Sequence, residues 1–308
     1  MALLPAQNPE DDTIVKYYQS VLSFLGFQSI DGTPLVIDGD WGSNTQNALQ
    51  EFINVNSIQN SPSITTMEQT VIAIMQGFLN EVDSPSTPLV VDGLSPPASF
   101  TRAAVTIWQH DNELVDNGFV NDETRQNVIE LLGGDCIAIH IKILVAPVLP
   151  VDDFISGTRR IFGPQANILV KVGSREHLPG LTPLEDLDIQ VPGHAPCVPG
   201  QHTTEQLDLY TNHRNFVGSN EIAVYFLRSM IPIHAGCAAH PPLFPSLSIA
   251  QNAASEFTVA HELAHLLGVI GHPGPATGLM TAPIGPFPSM IPSVRTTVQA
   301  SPLLGNCL

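Results

Sequence analysis

Apolar residues recur at helical spacing near the start of the chain, and the same order of elements then returns. The segment TIVKYYQSVLSFLGF (13–27) has apolar side chains every three or four positions and a glycine near its end, which predicts a helix. PLVIDGDWGSNTQNALQEFI then supplies a short apolar run, an Asp-Gly turn and a second helix. VIAIMQGFLNEV, PLVVDG and SFTRAAVTIWQ repeat this order, and NDETRQNVIELL adds a closing helix. The pattern predicts two all-α repeats, over residues 1–65 and 66–133.

The two repeats share a turn and the start of the helix that follows it. The Asp-Gly turn at positions 38–39 aligns with positions 92–93, and Thr45 aligns with Thr101. Both copies resemble the three-helix peptidoglycan-binding domain, in which a helix, an Asp-Gly-x-x-Gly turn and a Thr-x-x-Ala helix recur; the first copy reads DGDWG and the second DGLSPP. This resemblance implies glycan binding, with Asp38 and Trp41 as candidates. Turn formation and helix packing explain the same residues without a ligand.

Strands and helices alternate in the rest of the chain. IAIHIKILV (137–145) has an apolar branched residue at every second position, which predicts a half-buried strand. VDDFISGTRRIFG is a predicted helix, and NILVKV, EIAVYFLRSM, IPIHAGCAA and SLSIAQ are further predicted strands. A helix over VAHELAHLL follows them. The sequence therefore predicts a multidomain protein whose last domain, residues 136–308, is α+β with a mixed, mostly parallel sheet covered by helices.

Composition and charge narrow the classes of partner. The chain has 308 residues, a net charge of −18 and only 11 Lys and Arg, so it offers no basic surface to nucleic acid or to anionic lipid. It contains no apolar run of about 18 residues, and its N-terminus does not resemble a signal peptide. We expect a monomer with neither nucleic-acid nor membrane partners.

Four cysteines, all in the last 173 residues of the chain, leave two alternatives open. Two disulfides suit an exported protein and allow three connectivities, but four buried thiols fit as well. No Cys-x-x-Cys pair is present, which disfavours a structural zinc knuckle. The cysteines are Cys136, Cys197, Cys237 and Cys307.

The predicted helix VAHELAHLL carries a pattern suited to binding a metal. A helix brings residues i and i+4 onto one face, so His261 and His265 can offer two imidazoles to one ion. Glu262 lies about 100° round the helix, where it can act as a general base without ligating the metal. This pattern arises by chance in roughly two sequences per hundred of such composition, and Gly268 lowers that to about one in a thousand.

The third ligand is predicted by the lack of other donors. A catalytic zinc site takes three protein ligands and leaves a fourth position for water. From Leu266 to Leu308 there is no Asp or Glu, and His272 is the single His. His272 is therefore the predicted third ligand, the alternative being a loop histidine near a two-histidine site.

The pattern resembles the metzincin zinc proteases, whose motif is His-Glu-x-x-His-x-x-Gly-x-x-His followed by a methionine turn. The first four motif residues match in register, whereas the last histidine falls at 272 instead of at 271, where Gly271 stands. The turn after Gly268 is therefore predicted to be one residue longer, which a glycine at 271 permits. Met280 lies eight residues beyond His272, where the methionine turn is expected.

The metzincin resemblance implies a fold, a reaction and a location. It implies a zinc metalloendopeptidase with one catalytic Zn²⁺, Glu262 as its base, and a protein or peptide substrate paired to an edge strand. Two alternatives remain: a zinc peptidase acting on peptidoglycan peptides, and a non-catalytic wall-binding protein with a degenerate metal site. Domain resemblance predicts an extracellular or cell-wall location, and no residue pattern locates a Ca²⁺ site. The candidate edge-strand residues are Ile233, His234, Ala235 and Gly236.

Overall fold

The computed structural model describes residues 11–56, 66–83, 87–198, 200–241, 243–251, 253–275, 278–281, 284 and 288–308. The chain divides into two compact units. One comprises residues 1–135 with 306–308, and the other comprises residues 136–305.

The first unit is built from helices, and both predicted repeats lie within it. Helix α1 packs against α2, α3 and α5, and it buries Tyr17, Tyr18, Val21 and Leu22 completely. No helix within the described residues has the length and apolar character needed to span a membrane. The helices are α1 Asp12–Phe24, α2 Ser43–Val55, α3 Met67–Asp83, α4 Phe100–Asp111 and α5 Asp122–Leu132.

A buried glutamine fixes the Asp-Gly turn of the first repeat. Gln19 Nε2 donates to Asp38 Oδ1 at 2.8 Å and to Thr45 Oγ1 at 3.1 Å, and Gln19 Oε1 accepts from the amide of Gly39 at 2.9 Å. The side chain of Gln19 is only 2% exposed, so its polar atoms need these partners. The shared Asp, Gly and Thr positions of the repeats thus form one hydrogen-bonded turn.

The same arrangement occurs twice more along the helical unit. The second occurrence lies at the Asp-Gly turn on which the predicted second repeat was based, whereas the third, centred on an Asn-Gly turn within the same residues 66–133, was missed from the sequence. Its signal is an Asn-Gly pair followed by a Thr seven residues after the Asn, the same interval as from Asp38 to Thr45. The partners are Asp92, Gly93 and Thr101 for Gln76, and Asn117, Gly118 and Thr124 for Gln109.

The second unit is a mixed α/β domain with a mostly parallel sheet, which confirms that part of the predicted fold. Its main strand order is β2-β1-β4-β7-β6, with β8 also paired to β1. β4 runs parallel to β1 and to β7, so Val224 lies between Ile141 and Leu247, whereas β6 is antiparallel to β7. The strands are β1 Asp135–Ile143, β2 Ile168–His177, β3 Asp186–Asp188, β4 Ile222–Leu227, β5 Ser229–Ile231, β6 Gly236–Cys237, β7 Ser246–Ala250 and β8 Gly305–Asn306.

Helices cover the sheet and place the active-site candidates near one edge. α6 packs against α8, and together they cover a core that includes Ile139, Ile141 and Phe226. β3 and β5 form a separate parallel pair, to which α7 is adjacent. The helices are α6 Val151–Ala166, α7 Thr204–Asn212, α8 Thr258–Leu266 and α9 Pro292–Gln299, with a 3₁₀ turn at Thr182–Leu184.

The predicted strand IPIHAGCAA is wrong over most of its length. Only Gly236–Cys237 is paired as β6. Pro232 has no amide hydrogen to give to a ladder, and the Ile231–Pro232 peptide bond is cis. The predicted strand was too long because the prediction followed the apolar residues and did not take into account that Pro232 cannot donate a ladder hydrogen bond.

The half-buried strand predicted over 137–145 is more buried than its alternation indicates. His140 is 4% exposed, and Lys142 is fully buried. His140 bonds Ser174 Oγ at 2.8 Å and Glu221 Oε2 at 2.9 Å, while Lys142 Nζ donates to Glu176 Oε2 at 2.7 Å. Both faces of β1 are therefore buried, because neighbouring segments provide hydrogen-bond partners for its polar side chains.

Replacing Lys142 with Met is expected to lower the free energy of unfolding by about 1–3 kcal/mol, because it leaves the partly buried Glu176 carboxylate and the Asn215 carbonyl without their donor. Urea denaturation of the isolated protein measures this. The double variant Lys142→Met/Glu176→Leu should recover much of the loss, since both charges are then gone. A single variant as stable as the wild type would show that the pair contributes nothing.

Candidate metal centre

Helix α8 positions two of the predicted ligands and ends where the motif predicts. His261 and His265 lie one turn apart on it. The Gly268 amide donates to His265 O at 3.0 Å, and the Val269 amide donates to Ala264 O at 3.1 Å. This pair of bonds is the Schellman ending, which needs a left-handed residue, and Gly268 has φ +110°. The glycine of the motif therefore stops the helix directly after the second histidine.

The loop after Gly268 returns the third histidine to the other two. Gly271 has φ +66°, a conformation that side chains disfavour, so it takes up the extra residue of the turn. The ring centroids are 4.8 Å apart for His261 and His265, 5.2 Å for His261 and His272, and 5.1 Å for His265 and His272. One nitrogen from each ring lies within 4.8 Å of the others, so the three side chains can hold one metal ion.

Backbone carbonyls orient two of the rings. His261 Nδ1 bonds Leu279 O at 2.8 Å, and His265 Nδ1 bonds Val269 O at 2.8 Å. Because a carbonyl only accepts, each Nδ1 carries the proton and each Nε2 keeps its lone pair for a metal. Sequence reasoning missed these carbonyls, since every residue type has one and no sequence signal marks them.

Burial keeps the same two histidines in the state that ligates metals. Removal from water lowers the pKa of His261 to about 4 and also lowers the pKa of His265. Both imidazoles are therefore neutral at pH 7, and neutral imidazole is the form that binds a metal. Two oriented neutral imidazoles and an exposed third one fit a divalent ion with a preference for nitrogen ligands.

Glu262 is enclosed between α8 and the edge strand β6. Its side chain is buried, and the amide of Ala238 lies close to its carboxylate. Burial raises the pKa of Glu262 to about 8, although the Ala238 amide works against that rise. A methyl group added at Gly236 would lie 2.5 Å from Glu262 Cγ and 2.6 Å from Oε1. The space that Glu262 occupies therefore exists because position 236 is glycine.

The four residues predicted to form the edge strand do not all lie in it. β6 is the last strand of the sheet order, and Gly236 is the one candidate within it. Ala235 accepts from the amide of Ala250 at 2.9 Å, whereas Ile233 is 79% exposed and His234 Nδ1 bonds Pro232 O at 3.1 Å. The edge strand therefore begins at Gly236 and not at Ile233, as the sequence predicted.

Met280 lies in the hydrophobic core of the same unit. It is 1% exposed, and the residue before it, Leu279, supplies the carbonyl that orients His261. The amide of Gly278 donates to Pro275 O at 2.8 Å, which closes the turn ahead of Met280. The turn thus contacts the site through the backbone carbonyl of Leu279.

The two glycan-binding candidates have structural roles in the helical unit. Asp38 Oδ1 accepts from Gln19 and, at 2.8 Å, from the amide of Asp40, and that amide is the main cause of the lowered pKa of Asp38. Trp41 packs edge-on against Tyr18 with ring centroids 6.0 Å apart. Turn formation and packing explain both residues, and glycan binding stays a prediction.

All four cysteines are in disulfides, so the free-thiol alternative is wrong. Cys197 is bonded to Cys237, which places one disulfide on β6. Cys136 and Cys307 are disulfide-bonded as well.

The fold and the site define a mixed α/β domain in which three histidines that can hold a metal ion come together. No family model matches the chain, and no curated protein matches it. Among solved structures, the chain is similar to metalloproteinase-II from Bacteroides fragilis, with 14% sequence identity and a TM-score of 0.37. The match covers 53% of this chain and 52% of that protein, so the chain spans about half the length of this neighbour. A likeness of this degree assigns no function, which therefore rests on the site.

Proposed function

We propose that residues 136–308 form a zinc-dependent metalloendopeptidase that hydrolyses peptide bonds of proteins or peptides. The observation that supports this most directly is the convergence of His261, His265 and His272, with the buried carboxyl group of Glu262 on the same helix. Three imidazoles that leave a fourth position open are a ligand set of catalytic zinc sites. Imidazole also suits zinc better than it suits Mg²⁺ or Ca²⁺, which prefer oxygen ligands.

Glu262 has the environment of a group that takes and returns a proton. Zinc, when bound, would polarise the scissile carbonyl and make the attacking water more acidic. Glu262 accepts the proton of that water and donates it to the leaving amine. Burial raises the pKa of Glu262 to about 8, and a nearby cation would lower it, so the carboxyl group can exist in both forms near neutral pH.

The edge of the sheet offers a place for an extended substrate. β6 pairs with β7 on one side, and no other strand within the described residues pairs with its second side. A peptide can add to such an edge through main-chain hydrogen bonds, which do not depend on its sequence. This supports a polypeptide substrate, with selectivity left to side-chain contacts.

The helical unit and the disulfides support a cellular location for this activity. We propose that the protein works outside the cell or at the cell wall, where disulfides persist, and that the helical repeats bind wall glycan. A peptidase acting on peptidoglycan peptides is the second candidate, because the repeats resemble wall-binding domains. The wall-binding proposal rests on that resemblance of the turn motif.

Incubating the purified protein with casein and, separately, with purified peptidoglycan tests the proposal. We expect casein cleavage that 1,10-phenanthroline abolishes and added Zn²⁺ restores, because the chelator removes the ion that the three histidines hold. Release of wall peptides without casein cleavage would favour the second candidate. Cleavage that survives complete removal of the metal would contradict both.

A further inference from the structure

The strand that packs against the Glu262 side chain is very short. β6 has two residues, Gly236 and Cys237. Gly236 makes room for the Glu262 side chain, and the amide of Ala238, directly after the strand, lies close to the Glu262 carboxylate. Both supports of Glu262 therefore flank Cys237 in the chain, and the position of Cys237 sets the position of both.

Pairing within the sheet holds β6 from one side only. Gly236 lies opposite Ile249 and Cys237 lies opposite Ser248 on β7. The amide of Ala250 adds one bond to Ala235 O at 2.9 Å. A two-residue antiparallel pair at a sheet edge is weak by itself, and in the described part of the chain no ladder forms on its other side.

Further support of β6 comes from the disulfide and from α7, in addition to the packing of α8 against the strand. Cys237 is fully buried and bonded to Cys197, which lies 40 residues earlier in the chain. Gln206, also fully buried, donates from Nε2 to Ala239 O at 3.3 Å, and this Nε2 lies 3.6 Å from Cys237 Sγ. These contacts hold the residues on both sides of Ala238.

Gln206 is itself fixed at the start of α7. Its Oε1 accepts from the Thr203 amide at 3.0 Å, and its own amide donates to Thr203 Oγ1 at 3.1 Å, which together form a capping box. Thr203 Oγ1 also donates to Asp188 O at 2.7 Å on β3. The glutamine is therefore a rigid support for β6.

We propose that the Cys197–Cys237 disulfide, supported by Gln206, is a positioning element for Glu262. It keeps the Ala238 amide and the Gly236 backbone against the carboxyl group, so that Glu262 faces the three-histidine centre in one orientation. This inference rests on the proposed peptidase function for its kinetic consequence. Its structural part, the restraint of the Ala238 amide, does not depend on that function.

The test removes this disulfide and compares the result with removal of the other two cysteines. In Cys197→Ser/Cys237→Ser we expect kcat on a fluorogenic peptide to fall by about ten- to a hundredfold, because a displacement near 1 Å has that effect on a catalytic group. Bound zinc should stay at the wild-type level. The matched control, Cys136→Ser/Cys307→Ser, should keep the wild-type kcat, since it leaves β6 intact.

Two further measurements separate positioning from general stabilisation. Hydrogen exchange at the Ala238 amide should accelerate in the Cys197→Ser/Cys237→Ser variant and not in the control. Adding the same two substitutions to Glu262→Gln should cause no further fall in the residual activity, because the disulfide acts through the missing carboxylate. Should the double serine variant not fold, Gln206→Ala, which leaves the disulfide in place, is expected to change kcat and exchange in the same direction by a smaller factor.

An unchanged kcat with unchanged exchange at Ala238 would overturn the inference, as would an equal fall in kcat in the wild-type and Glu262→Gln backgrounds. A wild-type protein that cleaves no peptide would instead overturn the proposed function. In that event the exchange measurement decides the inference alone: faster exchange in the Cys197→Ser/Cys237→Ser variant supports it, and wild-type protection contradicts it.

Discussion

Replacing Glu262 with glutamine is expected to lower kcat for peptide hydrolysis by about 10²- to 10⁴-fold, the range for loss of a general base. Glutamine has nearly the same shape and fits the space beside Gly236, so the fold is not expected to change. It cannot accept a proton from the attacking water, and its neutral amide loses the attraction to a bound cation. Because Glu262 is not among the three ligands, zinc content should remain at one ion per chain.

Steady-state kinetics and metal analysis of the same preparations measure this effect. Glu256→Gln is the matched control, because Glu256 lies shortly before α8, pairs with Arg160 and is 39% exposed. We expect its kcat to stay within about twofold of wild type, since a partly exposed ion pair contributes little. Full activity in Glu262→Gln would remove Glu262 from the mechanism, and loss of zinc in that variant would make it a ligand.

Replacing His272 with alanine is expected to weaken zinc binding by at least about 100-fold and to abolish peptidase activity. Removal of a group that only orients a ligand weakens metal affinity by about 10- to 100-fold, and loss of a ligand should exceed that. His272 is exposed, and its loop is shaped by Gly268 and Gly271, so truncation should leave the apoprotein as stable as wild type.

Competition with a chelator of known zinc affinity measures this change. His194→Ala is the control, because His194 is exposed in the same unit and its hydrogen bonds involve its backbone. The control should keep wild-type affinity. Equal affinities of His272→Ala and wild type would leave a two-histidine site and contradict the third ligand.

The part of the centre that lies on one helix could be predicted from the sequence. The spacing of His261 and His265 fixes their common face, because helix geometry is local. That the His272 side chain lies beside the other two histidines could be predicted, because the chain after α8 contains no competing donor of the Asp, Glu or His type. The extra residue of its turn was explained by Gly271, which has the positive φ that such a turn needs.

The groups that support the centre could not be predicted. The carbonyls of Leu279 and Val269 and the amide of Ala238 are backbone atoms that every sequence offers, and tertiary structure alone decides which of them meets a side chain. The role of Gly236 depends on how closely β6 approaches α8, which periodicity does not encode.

In the fold as well, features set by local sequence patterns could be predicted, whereas features set by contacts between distant segments could not. Alternation located β1, because apolar residues on one face reflect a shared core, and short apolar segments located β2, β4 and β7. Alternation failed where burial depends on polar partners from distant segments, as for Lys142 and Glu176. The glutamines of the three turns were missed for the same reason, since each bonds a turn at least eight residues away.

Zinc K-edge X-ray absorption of the purified wild-type protein tests the central claim most directly, because it reports which atoms surround the ion. We predict one zinc per chain, coordinated by three imidazole nitrogens at about 2.0–2.1 Å and by one further light atom from solvent. The outer-shell imidazole signal should fall from three rings to two in His272→Ala at saturating zinc. A wild-type protein without stoichiometric zinc, or with fewer than three imidazoles around it, would contradict the three-histidine centre.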